Sequence, residues 1–210
     1  EIGPYPAWTV QYLLSLDPGA KRIVLGNGDL AGSWPIHVRN AKTGRILTLD
    51  ERPKFWLDER GQDKPVWQRD RTPPPSGEDP GAKSYVLTPD VAHVGSFAYV
   101  PYLVTGDFYY LEEACFWANY GLLSQWHAPR QDARGLMSDQ VRGNAWGLRN
   151  MGDAASIVPD GEPEAKYFEE KLHNNLTEMT ARMYGPPEYN RMGFWHPRDV
   201  QDARIQNPAN

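Results

Sequence analysis

The residues best suited to chemistry lie in the stretch SDQVRGNAWGLRNMGDAAS, residues 138–156. Asp139, Arg142, Trp146, Arg149 and Asp153 follow one another at intervals of three and four, so a helix would put them on one face. Two guanidiniums beside an indole suit a negatively charged sugar. The cations can neutralise a carboxylate while the ring stacks on the sugar. The same spacing also describes a solvated ladder of Asp–Arg pairs, which would contribute little. Val141, Ala145, Leu148, Gly152 and Ala155 form an opposing small and apolar stripe, expected to pack on a neighbouring helix. Gly143 and Gly147 disfavour a helix by roughly 1 kcal/mol each relative to Ala. They are tolerated best where something packs closely on the backbone.

A second set of candidates precedes it, in DVAHVGSFAYVPYL. On a helix, Asp90, His93, Phe97 and Pro101 would fall on one side, with Tyr99 and Tyr102 elsewhere around the turn. A His close to an Asp and two Tyr could perform general acid–base work; alternatively it is a core His hydrogen-bonded to a carboxylate. His37, in the expected strand beside Trp34 and Arg39, is expected to be a satisfied strand residue. The single cysteine, Cys115, sits among Ala114, Phe116 and Trp117 and is expected to be a buried structural thiol rather than a nucleophile. It also excludes an intrachain disulfide framework and Cys-based zinc clusters. The five His show no HExxH or paired spacing, so no transition-metal site is expected. The acidic residues Asp58, Glu59 and Asp63 lack the spacing of a calcium loop. GxGxxG, Walker and GxSxG patterns are missing, and GNGDLAG, residues 26–32, is expected to be a turn. No cofactor is implied.

Positioning these residues requires two kinds of chain. In residues 1–85, RIVLGNGD and SWPIHVRNAKTGRILTLD carry short apolar, β-branched runs. Trp34–Arg39 and Arg45–Leu49 are expected to be strands joined through Asn40–Gly44 as a hairpin. From Asp50 to Ser84 the pattern dissolves into a Pro-rich, charged loop, in which Trp56 and Trp67 suggest a cover laid over a surface. Residues 86–185 are expected to be helical hairpins. The helices run from about Val91 to Val104, from Asp107 to about Gln125, from about Asp139 to Val158, and from about Pro163 to Tyr184. Ser138 and Asp107 are good N-caps, and Pro163 suits a first turn. Residues 186–210 are expected to be an irregular tail. Tyr110-Leu-Glu-Glu113 and Tyr167-Phe-Glu-Glu170 each follow a tight turn, 57 residues apart. Such a repeat of paired helices is a signature of stacked hairpins.

With 210 residues the chain can bury a sizeable core. Its composition is that of a soluble globular protein, and no run approaches the length of a membrane span. A net charge of −5, with both signs mixed along the chain, argues against a nucleic-acid partner. The 8 Trp and 11 Tyr supply core bulk and also the flat platforms on which sugars stack.

YVPYLVTGDFYYLEEACFWANY and QVRGNAWGLRNMGDAASIVPD resemble the helical hairpins of the six-hairpin, (α/α)6-toroid glycosidases and polysaccharide lyases. Arg142-Gly-Asn-Ala-Trp146 looks like the RGNGW motif of the unsaturated glucuronyl and rhamnogalacturonyl hydrolases, departing from it at Ala145. DLAGSWPIHVRNAKTGR also looks like a segment of large uncharacterised bacterial proteins. The resemblance covers roughly residues 85–185 and implies a mostly α fold, a partial toroid of antiparallel helical hairpins. It makes the first and third of these helices inner and the second and fourth outer. A full toroid has twelve helices, so it further implies a fragment of a larger protein or a toroid completed by other subunits. An extracytoplasmic location follows from the resemblance alone.

Two functions are therefore expected to compete. The first is a hydrolase or lyase acting on an acidic polysaccharide. A hydrolase would use Asp90 or Asp139 as proton donor within a carboxylate pair. A lyase would move the proton through Tyr99 or Tyr102 with help from His93, while Arg142 or Arg149 neutralises the uronate. Asn144, Trp146, Trp34 and His37 complete the expected substrate-binding set. The second is a non-catalytic module that binds glycan or a partner protein within a large surface or particle assembly.

Overall fold

A computed structural model of the chain describes residues 4–57, 89–137 and 141–184. They are mostly α-helical: α1 (Ala7–Ser15), α2 (Pro18–Asp29), α3 (Tyr99–Thr105), α4 (Phe108–Leu123), α5 (Val141–Ile157) and α6 (Pro163–Met183). The first two correct the sequence reading, which expected no helix there. GNGDLAG is not a turn but the end of α2 followed by a 3-10 turn, Leu30–Ser33. The local signal for α2 was present. Asp17 caps it by accepting from Ala20 N at 2.7 Å, and Pro18 opens the first turn. Burial of Ala20, Val24 and Gly28 holds a segment whose glycines weaken it as a helix.

The first expected helix is also shorter than its sequence pattern. Only Val91–His93, as a 3-10 turn, and Tyr99–Thr105 are helical, with residues 94–98 non-helical between them. Asp90, His93, Phe97 and Pro101 therefore do not share a helical face. The turn that follows is as expected. Gly106, at φ +69°, ends α3, and Asp107 caps α4 by accepting from Tyr109 N at 2.9 Å. A left-handed backbone at that position favours glycine.

Helix α4 is the centre of the structure: thirteen of its sixteen residues are buried. The resemblance placed this helix in an outer layer, whereas here α3 and α5 pack on it and the segment from Ile36 to Leu57 shares its core. Burying each large side chain such as Phe116 or Leu122 contributes about 1.5–3 kcal/mol. On α5 the buried residues are Gly143, Asn144, Gly147, Asn150, Met151 and Ala154, not the expected stripe, and Val141 is exposed. Small residues face the core because α4 approaches closely. A Cβ added to Gly121 would lie 3.4 Å from the Gly147 Cα.

The expected β-hairpin is reduced to one antiparallel bridge, Arg39 to Ile46, and the described residues contain no strand. Its turn survives, with Asn40 N donating to Arg45 O at 2.9 Å and Gly44 at φ +71°. Side chains rather than a ladder secure this region. Arg130, fully buried, donates to the carbonyls of Leu122, Gln125, Asp132, Pro53 and Phe55 at 2.7–3.1 Å. Trp56 Nε1 donates to Ser124 O at 2.8 Å, which fastens the start of the long loop to the chain just beyond α4. Trp67 lies outside the described residues, as do Asp58, Glu59, Asp63 and the tail after Tyr184. Because Ile36, Leu49 and Phe55 share one core cluster with Phe116 and Phe168, the boundary expected near residue 85 does not separate two cores.

Candidate functional site

A cleft of about 590 Å³ opens where three pieces of chain meet. Helix α5 supplies Arg142, Trp146 and Arg149, the three described members of its expected face that reach the opening. The irregular segment around α3 supplies His93, Val94 and Phe97, and the start of the chain supplies Tyr5 and Trp8. Asp139 lies outside the described residues.

His93 is fixed from both sides. Its Nδ1 is 2.7 Å from Asp90 Oδ2, and Arg142 Nη2 is 3.0 Å from its Nε2. A guanidinium only donates, so Nε2 must carry the lone pair and Nδ1 the proton given to Asp90. Asp90 is held in turn, because its Oδ1 accepts from Ala92 N at 2.9 Å and caps the 3-10 turn. The result is a carboxylate that orients an imidazole whose basic nitrogen meets an arginine. His93 and Arg142 are both exposed.

Arg149 plays a different part. It donates to Pro4 O at 3.0 Å, Val94 O at 2.9 Å and Asn150 Oδ1 at 3.0 Å, and it lies over the Trp146 ring at 4.8 Å. Burial lowers its pKa. It binds the walls of the cleft together and holds the indole in place. Asp153, one turn further, accepts from Tyr5 Oη at 3.2 Å and Ser96 Oγ at 2.9 Å. Burial raises its pKa, outweighing the opposing effects of the Ser96 hydrogen bond, the Arg149 charge and the Tyr5 hydrogen bond. The Tyr5 hydroxyl is pushed up to about 12, chiefly by burial and then by Asp153.

Other expected site residues lie elsewhere. Tyr99 stacks on Tyr5, ring centres 6.0 Å apart and planes 9° apart, behind the cleft wall. Tyr102 lines a separate groove. Asn144 is buried, on the side of α5 that carries Gly147. Trp34 packs edge-on against Trp117, its ring centre 5.8 Å away. His37 is tied to Glu113 at 2.9 Å and to Trp34 O at 2.9 Å, fastening the bridge region to α4. Cys115 is buried, and burial pushes its thiol up to about 12, as suits a structural cysteine.

Tyr5, Trp8 and Ser96 escaped sequence reading. Nothing in their spacing connects them with α5, because long-range folding alone brings them there. The two repeated turns converge on the separate groove, about 610 Å³ in volume, which Gly106 and Phe108 line from one turn and Val158, Pro159 and Glu162 from the other. There Arg45 bonds both Glu162 and Glu164. The described residues hold no cluster of three or more His, Cys, Asp or Glu able to bind a metal, and none of their helices is long and apolar enough to cross a membrane. Comparison with protein-family models, with curated proteins and with solved structures yields no match.

Proposed function

We propose that this is a carbohydrate-active protein whose cleft binds a uronate-bearing saccharide, with β-elimination the chemistry its geometry suits best. The observation that supports this reading is the Asp90–His93–Arg142 chain, which ends on the same cleft as Trp146. Trp146 offers a ring for stacking. A uronate carboxylate would compete with His93 for Arg142 and draw the guanidinium to itself. His93 Nε2 would then be released as a base. It would take the proton from the carbon next to the carboxylate, the electrons would form a carbon–carbon double bond, and the glycosidic oxygen on the next carbon would leave and be protonated by water. Among the described carboxylates, hydrolysis has less support, since Asp90 is engaged with His93 and Asp153 with Tyr5 and Ser96. The expected tyrosine base is also unsupported, because Tyr99 and Tyr102 lie off the cleft. A partial toroid of helical hairpins remains the architecture proposed for the whole, the helices here forming only part of such a ring.

A second reading, a binding module within a larger assembly, draws on one observation. Helix α1 turns an apolar face outward, with Leu14 83% and Leu13 48% exposed, and Leu16 beyond it 71% exposed. Such a contiguous face is commonly covered by a partner. One assay separates the two readings. The protein is incubated with polygalacturonate and with glucuronate-containing polymers, and the ultraviolet absorbance of the new conjugated double bond is followed. The elimination reading expects activity in the wild type and loss of at least about a hundredfold in His93→Ala, within the range for removing a general base. Binding without any double-bond formation would leave the module reading in its place.

A further inference from the structure

Behind the cleft lies a small pocket that shares Gly95 and Phe97 with it. The Phe97 ring stands between the two spaces, with its edge against Trp117, ring centres 5.1 Å apart. Gly95 makes that position possible, because a Cβ there would come within 2.8 Å of two carbons of the Phe97 ring. The pocket offers about 10 Å³, on the order of what one water oxygen needs.

Its lining is unusual for a space that small. Trp117 and Asn150, each 4% exposed, both line it, and the Trp117 Nε1 and Asn150 Nδ2 donors are buried without a partner among the described residues. Asn150 cannot turn its amide round without loss, because its Oδ1 accepts from Arg149. The third polar wall is Asp153, whose carboxylate oxygens accept from Tyr5 and Ser96 and retain further lone pairs. A buried donor with no acceptor costs about 1–3 kcal/mol, and two in one pocket mark a place for a ligand atom. An anion would accept from both donors but would face the Asp153 carboxylate. A cation would satisfy the carboxylate but would face two N–H groups. A neutral hydroxyl both accepts and donates, and so fits all three walls.

We propose that the inner pocket is a hydroxyl site at the back of the cleft, holding a single oxygen that accepts from Trp117 and Asn150 and donates to Asp153. The oxygen comes from water or from a hydroxyl of a saccharide bound in the cleft. Only the saccharide source rests on the function proposed above.

The test is an assigned ¹H–¹⁵N spectrum of the whole chain, with the Trp117 indole peak identified by its disappearance in Trp117→Phe. A cross-relaxation peak between that indole proton and water is expected for the free protein. On adding D-glucuronate, a peak that passes from water to sugar protons identifies a saccharide hydroxyl as the occupant. A water peak that persists while sugar signals broaden elsewhere identifies structural water. If glucuronate does not bind at all, the water peak still decides for the site, and only the saccharide source fails. A crystal structure provides the second readout, with an oxygen within hydrogen-bond distance of both donors. An indole proton that sees neither water nor sugar, together with a pocket empty in the crystal, overturns the inference even if glucuronate binds.

Discussion

Arg130 and Arg142 stand in different surroundings and show how differently one residue type can be used. Arg130 is fully buried, and its guanidinium is spread over five backbone carbonyls without a carboxylate among the five. Burial lowers its pKa to about 10, which still leaves it charged at neutral pH. The carbonyls that receive it belong to the C-terminal end of α4, the loop beyond, and residues 53–55, so it ties together chain that forms no sheet. Arg142 is exposed on α5 and gives an N–H to an exposed imidazole. The first arginine is committed to the fold, whereas the second, among the described residues, is held by an exposed partner that a stronger acceptor can replace. Function is therefore assigned to the site where the cation can exchange partners.

The comparison breaks most visibly at Arg130. Arg130→Met should cost at least about 3 kcal/mol, since each carbonyl left buried without a donor costs about 1–3 kcal/mol. Urea unfolding would report it, and an unchanged midpoint would mean that Arg130 is not the tie described. Arg130→Lys should recover only part, because an ammonium cannot reach five acceptors in a planar fork.

Gly28→Ala comes next. Its Cβ would meet Tyr110 Cε1 at 2.8 Å, Pro101 Cγ at 3.0 Å and the Phe97 carbonyl at 3.3 Å. Backbone cannot yield as a flexible side-chain end can, so a loss of about 1–3 kcal/mol is expected. It would wedge α2 away from the segment that carries Phe97. Equal stability of the variant would show that α2 sits further from α3 than described.

A smaller effect distinguishes the Arg45 groove from the inner pocket behind the cleft by pH. Burial pushes Glu164 up, but the hydrogen bonding from Arg45, a backbone N–H hydrogen bond and the Arg45 charge together outweigh it, so its folded pKa is lowered. Its contribution to stability is present above the ordinary carboxylate range, near about 4, and is lost as pH falls through the folded value. Asp153 has the opposite sign. Its folded pKa is raised, so the fold favours the protonated form, and stability declines as pH rises from the unfolded pKa through the folded one. Glu164→Gln should flatten the acid side of the stability profile, and Asp153→Asn should flatten the limb just above it. Identical profiles for the two variants would contradict the assigned directions. The smallest expected effect on stability is that of Arg142→Ala, within about 0.5 kcal/mol.

What sequence showed, and what it missed, follows the range of the forces involved. Capping and turn chemistry act within a few residues, so Thr105-Gly106-Asp107 and Pro163 marked the bounds of α4 and α6 closely. The i, i+4, i+7 spacing of Arg142, Trp146 and Arg149 likewise survived into the cleft. The face opposite did not, because α5 buries its smallest residues against α4 and that choice depends on the partner. Trp34–Arg39 and Arg45–Leu49 carry the apolar, β-branched runs of strands, yet among the described residues they form one bridge, and side-chain ties such as Arg39 to Glu112, at 2.6 Å, hold that chain. His93 and Asp90 were expected to meet through a helix; they meet through a 3-10 turn that puts i and i+3 together just as well. Nothing local in the sequence could have joined Tyr5 to Asp153, 148 residues apart.

The most direct measurement of the central claim is a calorimetric titration of the whole chain with oligogalacturonate and with a neutral oligosaccharide of the same length. The account predicts binding of the acidic oligomer alone. Arg142→Ala should weaken it about tenfold to a hundredfold, the range for one hydrogen bond to a charged group. Trp146→Ala should weaken it comparably, without unfolding the protein. Equal affinity for the neutral oligomer, or an Arg142→Ala protein that binds as the wild type does, would contradict the assignment of this cleft to an acidic saccharide.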